Sequence, residues 1–233
     1  MEYFVHERFF TIQGEGVHLG RRAFFIRLYG CPVKCPWCDS AGTWHPNFKP
    51  AKVPRMDEQQ LAEEAAETKA EIVVITGGEP SIYDLRPLVA ALKANRDPIP
   101  RIHLETSGGF PIQGDVDWIT LSPKKWKLPL KENIDKAHEF KIIVETPDDL
   151  EFYWKVLWDA QFYLNPNQPV IWIHPEWGHR KDPKLRRAIV QWVLKHGDPF
   201  RAGWQVHKLY RADQLDSRSQ PPVPLGGDPE RGY

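Results

Sequence analysis

Two periodicities alternate along the chain. Runs in which apolar and polar residues change places at every second position are separated by longer runs with an apolar residue every third or fourth position. The first pattern lays residues on the two faces of a strand, and the second lays them on one face of a helix. Strands are predicted at residues 23–29 (AFFIRLY), 71–80 (EIVVITGGEP), 101–109 (RIHLETSGG), 117–124 (DWITLSPK), 139–145 (EFKIIVE), 169–175 (PVIWIHP) and 202–210 (AGWQVHKLY). Helices are predicted at 57–70, 83–95, 148–160 and 182–197. Acidic residues open the first of these. Thr146 and Pro147 read as the N-cap and first position of the third. Gly197 closes the last. Repeated strand–helix units predict an α/β fold with parallel strands and outer helices. No internal sequence repeat is visible.

The alternation assigns faces as well as elements. Ile26 and Leu28 share one face and Arg27 the other. Thr76 opposes Ile75, and Ser122 opposes Leu121. Arg101, His103 and Glu105 oppose Ile102 and Leu104. Lys141 opposes Phe140 and Ile142, His174 opposes Ile173, and Gln205 with His207 opposes Val206. Polar side chains thus recur near the C-terminal ends of many strands. A closed, filled barrel would place branched apolar residues there. A solvated sheet face would give the same alternation, but parallel sheets are normally covered on both faces. A polar inner layer therefore predicts an open or partial barrel with a ligand in its lumen.

Composition narrows the class. The chain has 233 residues, enough for one sizeable α/β domain. Thirty-one Lys and Arg balance thirty-one Asp and Glu, which argues against nucleic acid or an anionic membrane as partner. No apolar run approaches the roughly 20 residues that span a bilayer. The N-terminal stretch MEYFVHERFFTIQGEG has charges within its apolar run and no small-residue cleavage site, so no secretion leader is expected. The expectation is a cytoplasmic protein, where thiols stay reduced.

All three cysteines, Cys31, Cys35 and Cys38, fall within GCPVKCPWCDS as C-x3-C-x2-C. Thiolates converging from one short loop select zinc or an iron–sulfur cluster. A structural zinc site needs four ligands, and His45 is a candidate fourth. A four-iron cubane held by three cysteines keeps one iron open for chemistry. Pro32 and Pro36 stiffen the loop, and Trp37 stands where it can shield a metal from solvent.

This motif, with an aromatic residue just before its last cysteine, resembles the signature of the radical S-adenosylmethionine enzymes. That resemblance implies a partial (open) β/α barrel, a [4Fe–4S] cluster on Cys31, Cys35 and Cys38, and S-adenosyl-L-methionine chelating the fourth iron through its amino and carboxylate groups. The glycine turn in TGGEP resembles the family motif at the cofactor's amino group, with Gly78 as the contact. Its two glycines are expected to let the backbone approach and to free an N–H. Ser122, Pro123 and Lys124 (SPK) are expected at the ribose or carboxylate. Trp37, Cys38 and Asp39 complete the expected cofactor contacts.

Taken together, TIQGEG, CDS, GGEP, LETSG, SPK and QVH resemble the 7-carboxy-7-deazaguanine synthase family, from about Phe9 to His207. The implied reaction is radical ring contraction of 6-carboxy-5,6,7,8-tetrahydropterin with loss of ammonia, in queuosine and 7-deazapurine biosynthesis. Hydrogen is taken from C6 and S-adenosylmethionine is regenerated. Ser40 is implied as a Mg²⁺ ligand, a hard oxygen suited to that ion, with Asp39 orienting the coordination shell. Ile12, Gln13, Gly14, Glu15 and Thr76 are implied at the substrate. Arg27 is implied to grip the substrate carboxylate with its planar fork, and Glu105 to accept N–H bonds from the pterin edge. Gln205 and His207 line the same pocket. Arg27, Glu105 and His207 carry the implied catalytic roles. A reducing electron donor of flavodoxin or ferredoxin type and a homodimer are the expected partners.

The tail departs from the family pattern. Residues 210–233 are longer and richer in Pro and Gly than expected, which puts in doubt a substrate contact by Gly232 and Tyr233. The division expected is a barrel domain over 1–209 and a tail over 210–233. Two other readings stand beside this one: another radical enzyme such as a glycyl-radical activase, and a non-catalytic zinc-binding module. An activase often carries extra cysteine motifs, and this chain has no cysteine to spare.

Overall fold

A computed structural model of the chain describes residues 1–94 and 100–220. Its centre is one nine-stranded sheet. The strands are β1 (Glu2–Ile12), β2 (Arg22–Leu28), β3 (Arg55–Asp57), β4 (Ile72–Gly77), β5 (Arg101–Thr106), β6 (Trp118–Leu121), β7 (Glu139–Val144), β8 (Val170–Pro175) and β9 (Phe200–Ala202). They lie in the order β3-β1-β2-β4-β5-β6-β7-β8-β9. From β2 to β9 every pairing is parallel, as the strand–helix repeat predicts. β1 departs from this, pairing antiparallel with both β2 and β3. No ladder joins β3 to β9, so the sheet is open. It nevertheless curls: the Val206 N–H, past β9, donates to the Gly14 carbonyl, past β1, at 3.0 Å.

Helices cover the outer face. They are α1 (Glu58–Glu67), α2 (Arg86–Ala94), α3 (Lys131–Ile134), α4 (Asp148–Asp159), α5 (Pro183–His196) and α6 (Val206–Tyr210). α1 begins with a reciprocal capping box between Asp57 and Gln60. α5 begins with Asp182 as cap and Pro183 at its first turn, and ends at Gly197 with φ +63°. Their buried residues recur at helical spacing: Leu88, Val89 and Leu92 on α2; Leu150, Tyr153 and Leu157 on α4; Leu185, Ile189 and Trp192 on α5. These pack on the apolar face of the sheet, where Ile26, Leu28, Val73, Ile75, Ile102 and Leu104 form one core and Leu121, Phe140, Ile142, Val144, Ile171 and Ile173 another. The face assignment by alternation therefore holds. The opposite face turns inward, with Phe9, Phe25, Ile72 and Val74 as an apolar patch below Arg27 and Thr76.

Three local expectations fail. The final strand over 202–210 ends at Ala202, and Val206–Tyr210 is helical instead. The Val206 N–H bond to Gly14 takes the chain away from the sheet. Thr146 is not a side-chain cap: its hydroxyl donates to Asp149, whose carboxylate also takes the Glu145 and Thr146 N–H groups. α4 accordingly starts at Asp148, one residue after Pro147. The helix expected at 83–95 starts at Arg86, because Pro80–Ile82 forms a separate tight turn; Asn95 lies outside the described residues. Gly232 and Tyr233 also lie outside them. Among the described residues no helix is long and apolar enough to cross a membrane.

Candidate active site

A cavity of about 500 Å³ opens at the C-terminal ends of the strands. All three cysteines line it. The loop that carries them is pinned on both sides: the Gly30 N–H donates to the Thr43 carbonyl at 2.8 Å, and the Glu79 N–H donates to the Gly30 carbonyl at 2.9 Å. The Trp44 indole N–H points at Cys38 Sγ at 3.4 Å, the kind of donor that tunes a metal-bound thiolate. Burial pushes all three thiols above their ordinary range, Cys35 to about 12. Thiolates here would need positive charge beside them, which a bound metal would supply. No group of three or more His, Cys, Asp or Glu among the described residues is placed on one metal ion. The His45 ring rests between Trp44 and Phe48. Three thiols from one loop at the edge of one cavity fit the group their motif implies.

Gly78 does not have the free N–H expected of it. That N–H donates to the Leu28 carbonyl at 3.0 Å. A Cβ at Gly78 would stand 2.3 Å from Gly30 O and 2.8 Å from Cys31 Cβ, and one at Gly77 would stand 2.5 Å from Leu28 O. The glycine pair thus lets the end of β4 lie against the cysteine loop. Glu79, in the same motif, is buried. It accepts from Ser81 N and Oγ, Thr106 Oγ1, and Ser107 N and Oγ, at 2.5–3.1 Å. It ties the turn after β4 to the turn after β5.

Of the SPK residues, Ser122 and Lys124 line the cavity. Lys124 Nζ donates to Ser122 Oγ at 2.6 Å and lies 5.5 Å from the Trp37 ring centre. Burial holds this lysine below its usual range, and Cys35 opposes that. Pro123 is not among the lining residues; its carbonyl accepts the Tyr153 hydroxyl at 3.2 Å. Trp37 lines the cavity and donates its indole N–H to Glu145 at 2.9 Å.

Beyond the cysteines lies a charged layer. Arg27 is half-buried and donates from Nε to Glu7 at 2.6 Å. Burial alone would lower its pKa, but Glu7 holds it above the ordinary range. Glu105 accepts Gln13 Nε2 at 3.0 Å and Thr76 Oγ1 at 3.2 Å. Glu15 pairs with Lys141 at 2.6 Å and accepts Gln205 Nε2 at 2.8 Å. Burial would raise the Glu15 pKa, yet Lys141, His174 and His207 pull it well below the carboxylate range. Burial likewise works against the charge on Lys141, and Glu15 and Glu105 more than offset it. Asp39 meets Lys208 at 2.8 Å; Lys208, Arg27 and Lys141 hold it ionised against its burial. Ser40 lines the cavity with its hydroxyl 3.8 Å from Cys38 Sγ. Ile12, Thr76 and His207 line it too. Gly14 does not; a Cβ there would stand 2.0 Å from His207 Nδ1, so Gly14 makes room for that ring.

Among the charged lining residues that sequence reasoning did not assign to the site are Glu7, Glu79, Lys141 and Lys208. Lys141 carried a signal, since alternation places it on the inner face. Lys208 and Gln205 reach the cavity from α6, which alternation misreads. The segment after α6 lines the cavity with Arg211, Asp213, Gln214, Ser219 and Gln220, and is fixed to β1 by Thr11 Oγ1 on Asp213 and the Phe10 N–H on Asp216.

Residues 25–153 match the radical SAM superfamily model. A 7-carboxy-7-deazaguanine synthase of Synechocystis is 39% identical over 208 residues, covering 89% of this chain and 92% of the relative. The Escherichia coli K12 protein of the same name is 32% identical over 231 residues, covering 89% and 98%. The crystal structure of QueE from Escherichia coli superposes with a TM-score of 0.73 at 30% identity, covering 89% of this chain and 95% of that one.

Proposed function

The chain belongs to the radical SAM superfamily and, within it, to the 7-carboxy-7-deazaguanine synthases, and from that membership we propose that it contracts the ring of 6-carboxy-5,6,7,8-tetrahydropterin to 7-carboxy-7-deazaguanine with loss of ammonia, a carbon–nitrogen lyase reaction. The observation that carries this reading is that one cavity is lined by the three cysteines and by Arg27, Glu105 and Lys141 together. The superfamily implies a [4Fe–4S] cluster and S-adenosylmethionine, which supply, when bound, a radical able to take hydrogen from an unactivated carbon. Cys31, Cys35 and Cys38 would hold the cluster. The turn at Gly78, with Ser122 and Lys124, would hold the cofactor.

The remaining work falls to the charged layer. With Nε on Glu7, Arg27 keeps its two terminal nitrogens for the substrate carboxylate. Glu105 exchanges its Gln13 and Thr76 donors for the N–H edge of the pterin. Fixing both ends of the ring holds C6 against the radical, and positioning of this kind accounts for several kcal/mol of a barrier. Ser40 is proposed as a Mg²⁺ ligand. Asp39, paired with Lys208, faces the same shell. An external one-electron donor of flavodoxin or ferredoxin type and a homodimer belong to the same reading. Anaerobic turnover of the tetrahydropterin with S-adenosylmethionine, reductant and Mg²⁺ tests it. Formation of the deazaguanine, stimulated by Mg²⁺, is expected. No product from cluster-loaded protein would overturn it. Product formation indifferent to Mg²⁺ would remove Ser40 from its role.

A further inference from the structure

We infer that Glu7 is the positioning residue of the carboxylate subsite: held by the chain at Ser219 and Gln220, it aims Arg27 at the substrate. This rests on the function proposed above. The first observation is a β-bulge. Val5 pairs with Leu28 and Glu7 pairs with Arg27, so β1 advances two residues where β2 advances one. His6 is the extra residue. Before the bulge the odd-numbered residues Tyr3 and Val5 sit in the outer core under the helices. After it the odd-numbered Phe9 sits in the inner patch, stacked on Phe25. A strand without the bulge would keep Glu7 on the side of Val5, away from the cavity. Bulges re-aim side chains in this way and recur beside active sites. Here the bulge brings a carboxylate directly opposite the arginine.

The second observation is how Glu7 is held. It is 7% exposed. One oxygen takes Arg27 Nε at 2.6 Å. The other takes the Gln220 N–H at 2.6 Å and lies 3.5 Å from Ser219 Oγ. Glu7 thus joins the arginine to the segment that follows α6. Nε is the guanidinium nitrogen nearest the stem, so a bond there fixes the plane of the whole fork. The two terminal nitrogens are left as a parallel pair of donors. A carboxylate in that position does more than neutralise: it sets the direction in which the subsite is read.

The test uses the cluster-loaded enzyme with S-adenosylmethionine and two oxidised, non-reacting probes, 6-carboxypterin and pterin, whose dissociation constants are read by fluorescence. Wild type should prefer the carboxylated probe. Glu7→Gln, which keeps the size of the side chain, should lower that preference about tenfold. Glu7→Asp should recover part of it. Gln220→Pro removes the N–H donor while leaving the Arg27–Glu7 pair intact, and should lower the preference about threefold. A role in stability alone would weaken both probes equally or neither. An unchanged preference in Glu7→Gln overturns the role given to Glu7, and an unchanged preference in Gln220→Pro overturns the link to the C-terminal segment. A wild-type enzyme with no preference overturns the carboxylate reading of Arg27, and the role of Glu7 with it.

Discussion

Glu139 and Glu15 are both buried carboxylates inside the same curled sheet, yet they are satisfied in opposite ways. Glu139, at the lower end of β7, takes four neutral donors: the indole N–H groups of Trp118 and Trp172, the Thr120 hydroxyl and the Val17 N–H, at 2.7–3.3 Å. Around it pack His18 and His103, with His138 stacked on Trp118. Between Glu139 and the layer of Glu15, Glu105 and Lys141 only about 10 Å³ is left, room for one water at most. Glu15, higher up, pairs with a lysine and borders the 500 Å³ cavity. In the lower region the carboxylate is met by neutral donors of the protein itself. The upper region balances charge against charge and leaves donors facing open space. A buried polar residue is thus structural or functional according to whether its bonding capacity ends within the protein.

The largest effect that can test this contrast is at the cysteines. Replacing Cys31, Cys35 or Cys38 by Ala should abolish activity and deplete the roughly four irons per chain expected of the cubane, while the thermal unfolding midpoint of the metal-free protein barely moves. Iron analysis and a melting curve check both parts. Next comes Arg27→Ala, which should cost at least about tenfold in kcat/KM, since a charge-assisted bond is worth roughly 1.5–3 kcal/mol. A substrate analogue without the carboxylate should lose much less. Equal losses would make Arg27 structural.

Glu139→Ala sharpens the contrast from the other side. It strands four buried donors, each costing about 1–3 kcal/mol if left unpaired. Denaturant unfolding should show a loss of a few kcal/mol, with kcat/KM of the folded fraction within about threefold of wild type. A catalytic collapse without loss of stability would erase the distinction between the regions. The smallest effect concerns pH. Burial, with His18 and Arg101 beside it, lowers the His103 pKa from 6.5 to about 3. Between those values the unfolded chain binds a proton that the folded protein refuses. Stability therefore falls as pH drops from 6.5 towards 3, by on the order of 1 kcal/mol per pH unit. His103→Gln should flatten that slope.

Much of the upper region was legible in the sequence, because period-two alternation survives in buried strands. Arg27, Thr76, Glu105, Ser122 and Lys141 all face inward as alternation places them. What stayed hidden depends on breaks in the period. The bulge at His6 reverses the sides of β1, so Glu7 reads as a core-facing position. α6 replaces a predicted strand, so Gln205, His207 and Lys208 reach the cavity by a route alternation does not describe. Glu79 lies in a recognised motif, and two of its five donors are local, from Ser81; the other three come from Thr106 and Ser107, at a turn two elements away, and no local pattern announces those. The antiparallel start of the sheet was equally invisible, since repeated strand–helix units imply only parallel neighbours.

The claim that the upper cavity brings a radical to C6 of the pterin is tested most directly by isotope transfer. The enzyme is incubated anaerobically with S-adenosylmethionine, reductant and 6-carboxytetrahydropterin deuterated at C6. The account predicts deuterium in the 5′-methylene of recovered S-adenosylmethionine, in proportion to product formed. Product formation with all the label released to water, and none in S-adenosylmethionine, would contradict it.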